Sequence, residues 1–154
     1  MSSEMILEIE KRSSKRKRPD GSPYASLSTI DSAELAALLA TGTREVEIAA
    51  LEHEIIPERY SRNFTTFSFE DQITLLQSRV GVVGLGGLGG GVAELLARTG
   101  VGTLYLVDGD TFEESNLNRQ LFSRTDLMGS SKAGAAKKRI GKINPSVTVR
   151  SHAL

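Results

Sequence analysis

Short apolar runs and stretches with helical spacing alternate through the second half of the chain. Valine and leucine dominate residues 79–84 and 103–107, and a third apolar run begins with Val147 and Val149. Between these runs, apolar residues recur every three or four positions, which predicts a helix after each of the first two strands. Strands that alternate with helices are typical of a parallel sheet. We therefore predict an α/β fold in which the chain supplies part of a Rossmann-like, doubly wound parallel sheet.

The first apolar run also predicts where its strand lies. Residues 79–84 read Arg-Val-Gly-Val-Val-Gly, a near-continuous apolar pattern that is typical of a strand buried on both faces. The sheet order expected for this half is third strand, second strand, first strand. The strands that would cover the outer edge of the first strand belong to the second half of such a sheet. That apolar edge is therefore expected to lack a partner within this chain.

The N-terminal part of the chain follows a different pattern. Residues 1–25 are polar and charged, with a basic run over 11–18 before proline and glycine, and this composition predicts a disordered basic arm. Residues 26–58 predict a helical extension, and residues 59–154 the N-terminal half of the α/β domain. Helical spacing and capping residues predict four helices, over residues 28–40, 44–54, 68–77 and 131–143.

A glycine-rich turn follows the first strand. Gly84 allows the tight turn, and Gly86 and Gly87 let the backbone approach phosphate closely. Gly89 lets the next helix pack against the strand, and the start of that helix offers N–H groups that suit an anion. The second strand ends in Asp108, nineteen residues after Gly89, where a carboxylate accepts hydrogen bonds from ribose hydroxyls. These features predict a nucleotide site; the alternative is a close turn without a ligand beside a solvated aspartate.

Three basic side chains favour ATP over a nicotinamide dinucleotide. Arg119 lies in a polar loop after the second strand, Lys132 starts the next helix, and Arg62 precedes the first strand. A triphosphate carries more negative charge than a dinucleotide pyrophosphate, and its transfer chemistry needs added cations. Loops at the carboxyl ends of parallel strands are where ligands of open α/β sheets bind. The alternative for each cation taken singly is an ordinary surface charge.

Taken together, these residues resemble the motifs of the ThiF/MoeB/HesA family of adenylating enzymes, relatives of the ubiquitin-activating enzymes. The resemblance covers residues 59–149. The matching motifs, in chain order, are Arg59-Tyr60-Ser61-Arg62, Gly84-x-Gly86-Gly87-x-Gly89, Thr99-Gly100-Val101-Gly102, Val107-Asp108-x-Asp110, Asn116-x-Asn118-Arg119-Gln120, Gly129-x-x-Lys132 and Ile143-Asn144-Pro145.

The resemblance implies an activity, a cofactor and a partner. It implies ATP-dependent adenylation of a carboxylate, usually the C-terminal glycine of a ubiquitin-like sulfur-carrier protein, with release of pyrophosphate. ATP and Mg²⁺ are the implied cofactors. It also implies an assembly, either a homodimer or a complex with a complementing C-terminal half.

The resemblance also implies roles for individual residues. Gly86 and Gly87 would face the phosphates, and Asn116 and Lys132 would approach them. Arg119 would stabilise the leaving pyrophosphate. The remaining implied residues are the ribose ligand Asp108, the further nucleotide-binding residues Gly84, Gly89, Asp110 and Gln120, and Arg62, which family members supply across a dimer interface.

The chain also departs from the family pattern. Members of the family run to well over two hundred residues, and their magnesium-binding aspartate lies beyond the third strand. No residue of this sequence is therefore assigned as a metal ligand. The cysteines that some members use are missing, because the chain contains none. We expect a truncated product, one piece of a split enzyme, or a chain that needs a partner.

Composition narrows the remaining possibilities. The formal net charge is zero, which disfavours a general nucleic-acid or membrane surface. No apolar run approaches the length of a membrane span, and the N-terminus lacks a signal-peptide core. A chain without cysteine has no disulfides and no thiolate zinc ligands, which fits a cytoplasmic location.

Three alternatives to a sulfur-carrier adenylyltransferase stay open. Residues 97–100 and 116–120 resemble those of the tRNA threonylcarbamoyladenosine dehydratases, which implies a tRNA substrate instead. A non-catalytic nucleotide-binding module is a second alternative, supported by the missing metal ligand. An NAD oxidoreductase is disfavoured, because Arg119 and Lys132 would then have no evident task.

Overall fold

The computed structural model describes residues 3–153 and divides the chain into two compact units. Unit 1 comprises residues 1–76 and unit 2 residues 77–154. The division between Leu76 and Gln77 differs from the predicted domain boundary after residue 58.

Unit 1 contains a small sheet and four helices. Strand β2 lies between β1, with which it pairs antiparallel, and β3, with which it pairs parallel. The elements in chain order are α1 (Ser3–Arg12), β1 (Ser14–Lys17), β2 (Pro23–Leu27), α2 (Thr29–Leu38), α3 (Thr43–Glu52), β3 (Ile55–Pro57) and α4 (Phe69–Gln77), whose last residue belongs to unit 2.

Three of the four helices of unit 1, α2, α3 and α4, begin within one residue of their predicted starts. Ser28 caps α2 by accepting a hydrogen bond from the Asp31 backbone N–H at 3.1 Å. Ser68 and Asp71 cap α4 reciprocally, each side chain accepting from the other residue's backbone N–H. The predicted helices over 28–40, 44–54 and 68–77 are therefore confirmed, with ends shifted by one or two residues.

The prediction of a disordered arm over residues 1–25 differs from the structure. Residues 3–12 form α1, and β1 and β2 occupy much of the remainder. The reason is a short apolar stripe within a charged segment: Ile9 is fully buried and Met5, one turn earlier, packs against the same core. Because residues 1–25 are mostly polar and charged, their average composition does not reveal two apolar residues one helical turn apart. The basic residues of β1 stay exposed, so only their solvation was predicted correctly.

Unit 2 is a three-stranded parallel sheet with two connecting helices. The sheet order is β4-β5-β6, all parallel, so the third strand lies beside the second and the second beside the first. This arrangement confirms the predicted α/β class and sheet order. The elements are β4 (Arg79–Val83), α5 (Gly89–Thr99), β5 (Thr103–Val107), α6 (Lys132–Ile143) and β6 (Thr148–His152).

Strand β4 is less buried than its sequence predicts. Only Val82 is buried, and the Val83 residue is 83% exposed. The prediction of burial on both faces is therefore wrong. Strand β4 ends the sheet, and within residues 3–153 no strand pairs with its other edge. The predicted partnerless edge is thus confirmed for the described part of the chain.

The two helices of unit 2 are linked by a buried carboxylate. Glu94 of α5 accepts hydrogen bonds from Arg139 of α6 at 2.5 Å and from Arg98 at 2.7 Å. The Arg139 guanidinium holds the pKa of Glu94 below its usual value, Arg98 lowers it further, and burial opposes both effects. The Asn144 side-chain amide adds a second link by donating to the Ala97 carbonyl at 2.9 Å.

Candidate nucleotide-binding site

The carboxyl ends of the three parallel strands meet at one edge of unit 2. In the sheet register Val83 pairs with Val107, and Val107 pairs with His152. Gly84 follows β4 with φ of +85°, a left-handed conformation that glycine adopts without steric cost. Its backbone N–H donates to the Val107 carbonyl at 2.8 Å, so the glycine turn starts directly beside the end of β5.

The Asp108 carboxylate joins the glycine turn to the loop after β5. One of its oxygens accepts from the Leu85 backbone N–H at 2.6 Å, and the other accepts from the Asp110 N–H at 2.8 Å. Asp108 is 8% exposed, so these bonds lie largely out of water. Each carboxylate oxygen can accept further bonds, which leaves capacity for a ligand hydroxyl. The predicted contact with ribose stays a prediction, and the structure adds a structural role for Asp108.

Two glycines of the turn lie against other parts of unit 2. A Cβ on Gly89 would lie 1.7 Å from the Gly84 carbonyl oxygen, so helix α5 approaches the turn more closely than any side chain allows. A Cβ on Gly86 would lie 3.7 Å from the Gln120 amide nitrogen, in ordinary contact. The close packing expected at Gly89 is thus present, and the phosphate contacts expected of Gly86 and Gly87 stay predictions.

Gln120 carries a buried polar atom without a partner. The residue is 8% exposed, and its Oε1 accepts no hydrogen bond from any of residues 3–153. A buried acceptor without a donor costs about 1–3 kcal/mol, so such an atom points to a missing donor. The Gln120 side chain lies against Gly86 and lines the polar cleft described below. A ligand hydroxyl or amino group would satisfy this oxygen.

Lys132 and Asp110 form a salt bridge that the sequence does not reveal. Lys132 Nζ lies 2.8 Å from Asp110 Oδ2, with the lysine side chain 6% exposed and the aspartate 74% exposed. The Lys132 backbone N–H also donates to the Asp110 carbonyl at 3.1 Å. The ammonium is held at the cleft, and its carboxylate partner faces water. An incoming phosphate can therefore take the place of Asp110 without burying it.

Asn116 and Arg119 lie in the loop between β5 and α6. Asn116 is buried, and its side-chain oxygen accepts from the Glu113 N–H at 3.1 Å, which fixes a short 3₁₀ turn. Arg119 is exposed, and its guanidinium donates to the Ser115 carbonyl and to the Asn118 side chain at 3.2 Å. Both acceptors are uncharged. The positive charge of Arg119 is therefore not neutralised by a carboxylate within the described residues.

Five of the eleven predicted site residues line one polar cleft of about 480 Å³. That volume is in the range of small-molecule sites. The lining residues are Gly109, Asp110, Thr111, Glu113, Ser115, Asn116, Arg119, Gln120 and Lys132. The glycine turn meets this group at Gln120, which touches Gly86, and at the Arg119 carbonyl, 3.9 Å from a Cβ on Gly87.

Arg62 lies outside this cleft. It belongs to unit 1, where it is exposed and lines a separate basic pocket. Its predicted role therefore stays a prediction. Sequence reasoning missed this pocket and the salt bridge between Lys132 and Asp110. The basic run over residues 11–18 points to this pocket in the sequence, but its composition led to the prediction of a solvated arm.

The cleft fits the adenine nucleotide that the sequence predicts. It supplies an exposed guanidinium without a carboxylate partner, a buried ammonium paired with Asp110 and a buried amide oxygen that lacks a donor, and the glycine turn lies against it at Gln120. The cleft does not offer a comparable set of ligands for a magnesium ion. Within residues 3–153, no three side chains of His, Cys, Asp or Glu are grouped to hold a metal ion.

Unit 2 has the parallel strands and connecting helices of an α/β nucleotide-binding fold, and comparison with known proteins identifies its family. The ThiF family model matches residues 60–154, more than half of the sequence. The chain belongs to the ThiF family. A tRNA threonylcarbamoyladenosine dehydratase of Bacillus subtilis is 43% identical over 91 residues, covering 59% of this chain and 36% of that protein. A molybdopterin-synthase adenylyltransferase of Salmonella typhimurium is 43% identical over 93 residues, covering 59% and 37%.

The chain therefore spans little more than a third of the length of these curated relatives. Among solved structures, E. coli tRNA N6-threonylcarbamoyladenosine dehydratase, TcdA, in complex with ATP gives a TM-score of 0.61 at 33% identity, covering 63% of this chain and 40% of that chain. E. coli MccB with ATP gives 0.61 at 27% identity, covering 82% and 39%. The second similarity extends well into unit 1. No helix in the described part of the chain has the length and apolar character to cross a bilayer.

Proposed function

We propose that this chain is the nucleotide-binding half of an enzyme that uses ATP to adenylate a carboxylate. The proposed acceptor is the C-terminal glycine of a ubiquitin-like sulfur-carrier protein, and the proposed location is the cytoplasm. The observation that carries the proposal is the unpaired Gln120 oxygen, placed beside the glycine turn in a cleft that Arg119 and Lys132 also line. Relatives named as adenylyltransferases support the same activity.

The chemistry asks the protein for positioning and positive charge. A carboxylate oxygen of the acceptor forms a bond to the α-phosphorus of ATP, the bond from that phosphorus to the bridging oxygen breaks, and pyrophosphate leaves. The nucleophile is already ionised, so no residue has to remove a proton. Arg119, whose charge no carboxylate neutralises, would stabilise the charge developing on the leaving pyrophosphate. Lys132 would hold the phosphates by exchanging Asp110 for them.

The exposed apolar surface of unit 2 supports the proposal that the working enzyme is an assembly. Leu88, the residue before α5, and Val92 and Leu95 of α5 share one face, and they are 87%, 47% and 65% exposed. Strand β4 adds a partnerless edge within the described residues. A complementing C-terminal half would cover this surface and supply the acceptor-docking region. A homodimer is the alternative assembly, in which Arg62 would act across the interface.

Nucleotide binding can be tested on the chain itself, and catalysis on the complemented enzyme. ATP affinity is measured by calorimetry, with NAD in a parallel titration. ATP–pyrophosphate exchange is measured after co-expression with the C-terminal half that follows in the gene or in a partner gene. Tighter binding of NAD than of ATP would reject the proposal. ATP binding without exchange in the complemented enzyme would support a non-catalytic nucleotide-binding module instead.

Arg119→Ala tests most directly whether the arginine acts in the exchange reaction. We expect exchange to fall by about 10²–10³-fold, because the arginine acts on charge that develops in the transition state. ATP affinity should change by less than about threefold for the same reason. Arg124→Ala is the matched control, since Arg124 is an exposed arginine of the same loop that pairs with Asp126. Exchange at the normal rate in Arg119→Ala would remove Arg119 from the mechanism.

The similarity to tRNA threonylcarbamoyladenosine dehydratases favours a second candidate within the same chemistry. In that case the activated carboxylate belongs to a modified tRNA nucleoside. Formation of AMP that depends on such a tRNA, and not on a carrier protein, would favour this candidate. Exchange stimulated by a carrier protein with a C-terminal glycine would favour the first.

A further inference from the structure

Unit 1 contains a pocket of about 440 Å³, and of its lining residues only Arg62 has a role in the adenylation proposed above, in the homodimer alternative. We call it the basic pocket. It lies between strand β1, the turn that follows it and the segment 58–65. The residues that matter for its chemistry are Arg16, Lys17, Arg18, Tyr24, Arg62 and Phe64. Four cations and two aromatic rings thus line a single cavity of unit 1.

Three of the four cations of the basic pocket form no ion pair within the described residues, and the fourth, Arg18, interacts with the nearby Asp20 carboxylate. Arg16, Lys17 and Arg62 form no ion pair with any residue between 3 and 153. Arg18 stacks over the Tyr24 ring, with its guanidinium carbon 5.8 Å from the ring centroid. The one carboxylate on the wall, Glu58, accepts hydrogen bonds from the hydroxyls of Tyr24 and Ser26. It therefore points toward neutral donors.

In a pocket of unit 2, by contrast, the arginines are paired with carboxylates. That pocket, of about 370 Å³, is also lined by arginines and lysines. Its arginines are compensated, because Arg98 and Arg139 bind Glu94 and Arg124 binds Asp126. All three arginines of this second pocket are thus neutralised by carboxylates of unit 2. The uncompensated set in unit 1 indicates a surface that receives a negative partner.

The basic pocket lies beside a strand edge that can receive a peptide. Strand β1 pairs with β2 on one side only, and it ends the sheet of unit 1 as far as residues 3–153 extend. All four of its residues are exposed. The outer edge therefore presents backbone N–H and C=O groups to an extended chain, while Arg16 and Lys17 supply charge for its side chains.

The charge distribution of unit 1 favours a short acidic ligand over RNA. Acidic residues outnumber basic ones over residues 1–76, and the positive charges concentrate at residues 15–18 with Arg62. Binding to a nucleic-acid backbone requires a broad basic surface that neutralises many phosphates. A negatively charged unit with one small basic pocket would repel most of a long polyanion.

We propose that the edge of β1 and the basic pocket together bind an extended acidic peptide segment of a partner protein. The segment adds a strand to the outer edge of β1 through backbone hydrogen bonds. Because successive side chains of a strand alternate between its faces, carboxylates of the segment meet Arg16 on one face and Lys17 on the other. This site lies wholly in unit 1 and does not depend on adenylation in unit 2.

Binding is tested on the whole chain with a defined probe. The probe is a fluorescent eight-residue peptide in which pairs of glutamates alternate with pairs of valines, so that both faces of the strand carry carboxylates. We expect saturable binding that an N-methylated copy, blocked along one backbone edge, weakens by at least about tenfold. Arg16→Glu with Lys17→Glu should weaken it by a similar factor. The matched control, Lys137→Glu with Lys138→Glu in α6 of unit 2, should change it by less than about twofold.

Three results would overturn the proposal. Equal binding of the N-methylated peptide would show that no strand is added to β1. Equal binding to the charge-reversed pocket, in a variant whose circular dichroism and melting match the wild type, would remove the pocket from recognition. Displacement of the peptide by bulk tRNA or pyrophosphate at lower concentration than by unlabelled peptide would identify a phosphate site in place of a peptide site.

Discussion

Helices α5 and α6 of unit 2 differ in the polarity of the face that each exposes to water. Helix α6 buries Ala133, Ala136 and Ile140 and leaves Lys137 and Lys138 exposed, as an amphipathic surface helix does. Helix α5 buries Glu94, whereas its larger apolar residues Val92 and Leu95 stay exposed, as does Leu88 just before it. The outer face of α6 is polar, and that of α5 is apolar. An exposed apolar face of this kind is typical of a protein contact, which is the role proposed for it above.

The largest effect is expected at the start of α5. In Gly89→Ala the new Cβ would lie 1.7 Å from the Gly84 carbonyl oxygen, and no side-chain rotation relieves a clash with backbone. We expect a loss of more than about 4 kcal/mol in the free energy of unfolding, or a chain that does not fold. Urea denaturation followed by circular dichroism measures it. The control is Gly91→Ala, where nothing lies within 4 Å, and there we expect a gain of up to about 1 kcal/mol.

The next effect is expected in the buried face of α6. Ile140 is fully buried, so Ile140→Ala should lower the free energy of unfolding by about 2–5 kcal/mol through lost burial and the cavity that remains. The same urea titration measures it. A loss below about 1 kcal/mol would mean that α6 is packed as loosely as the outer face of α5, and the contrast between the helices would disappear.

A smaller, pH-dependent effect is expected at the link between the two helices. Glu94→Gln removes charged hydrogen bonds to Arg139 and Arg98 and should cost about 1–3 kcal/mol at pH 7. Because the pKa of Glu94 is lowered in the folded state, its contribution is complete above the unfolded pKa of about 4.3 and is lost as the pH falls through the lower folded pKa. The stability difference from wild type should therefore shrink below about pH 4.3. A difference that stays constant between pH 7 and pH 3 would contradict this origin.

The smallest effect is expected on the exposed face of α5. Leu95→Ser changes a residue that is 65% exposed, so the stability of the isolated chain should change by less than about 0.5 kcal/mol. Co-purification with the complementing half should fall sharply, because the leucine would be buried only in the assembly. A large loss of stability in the isolated chain would show that α5 already packs against something within it.

The sequence predicted the parts of unit 2 that depend on local pattern. The bounds of β5 follow from periodicity, the cap of α6 at Ser131 follows from residue type, and the sheet order follows from the alternation of strands and helices. The bridge between Lys132 and Asp110 joins residues 22 positions apart, so it depends on the path of an irregular loop. The unpaired Gln120 oxygen likewise depends on how that loop packs against Gly86. No local pattern contains such information.

The hydrogen bonds of Asp108 have a consequence for the kinetics of ligand capture. Its two oxygens tie the glycine turn at Leu85 to the loop after β5 at Asp110 through bonds within the chain. If a nucleotide binds there as proposed, little of that segment is left to be ordered on binding, and we expect a small entropic cost of capture. Capture at this edge of the sheet should be limited by diffusion and charge, and release by how tightly the phosphates are held.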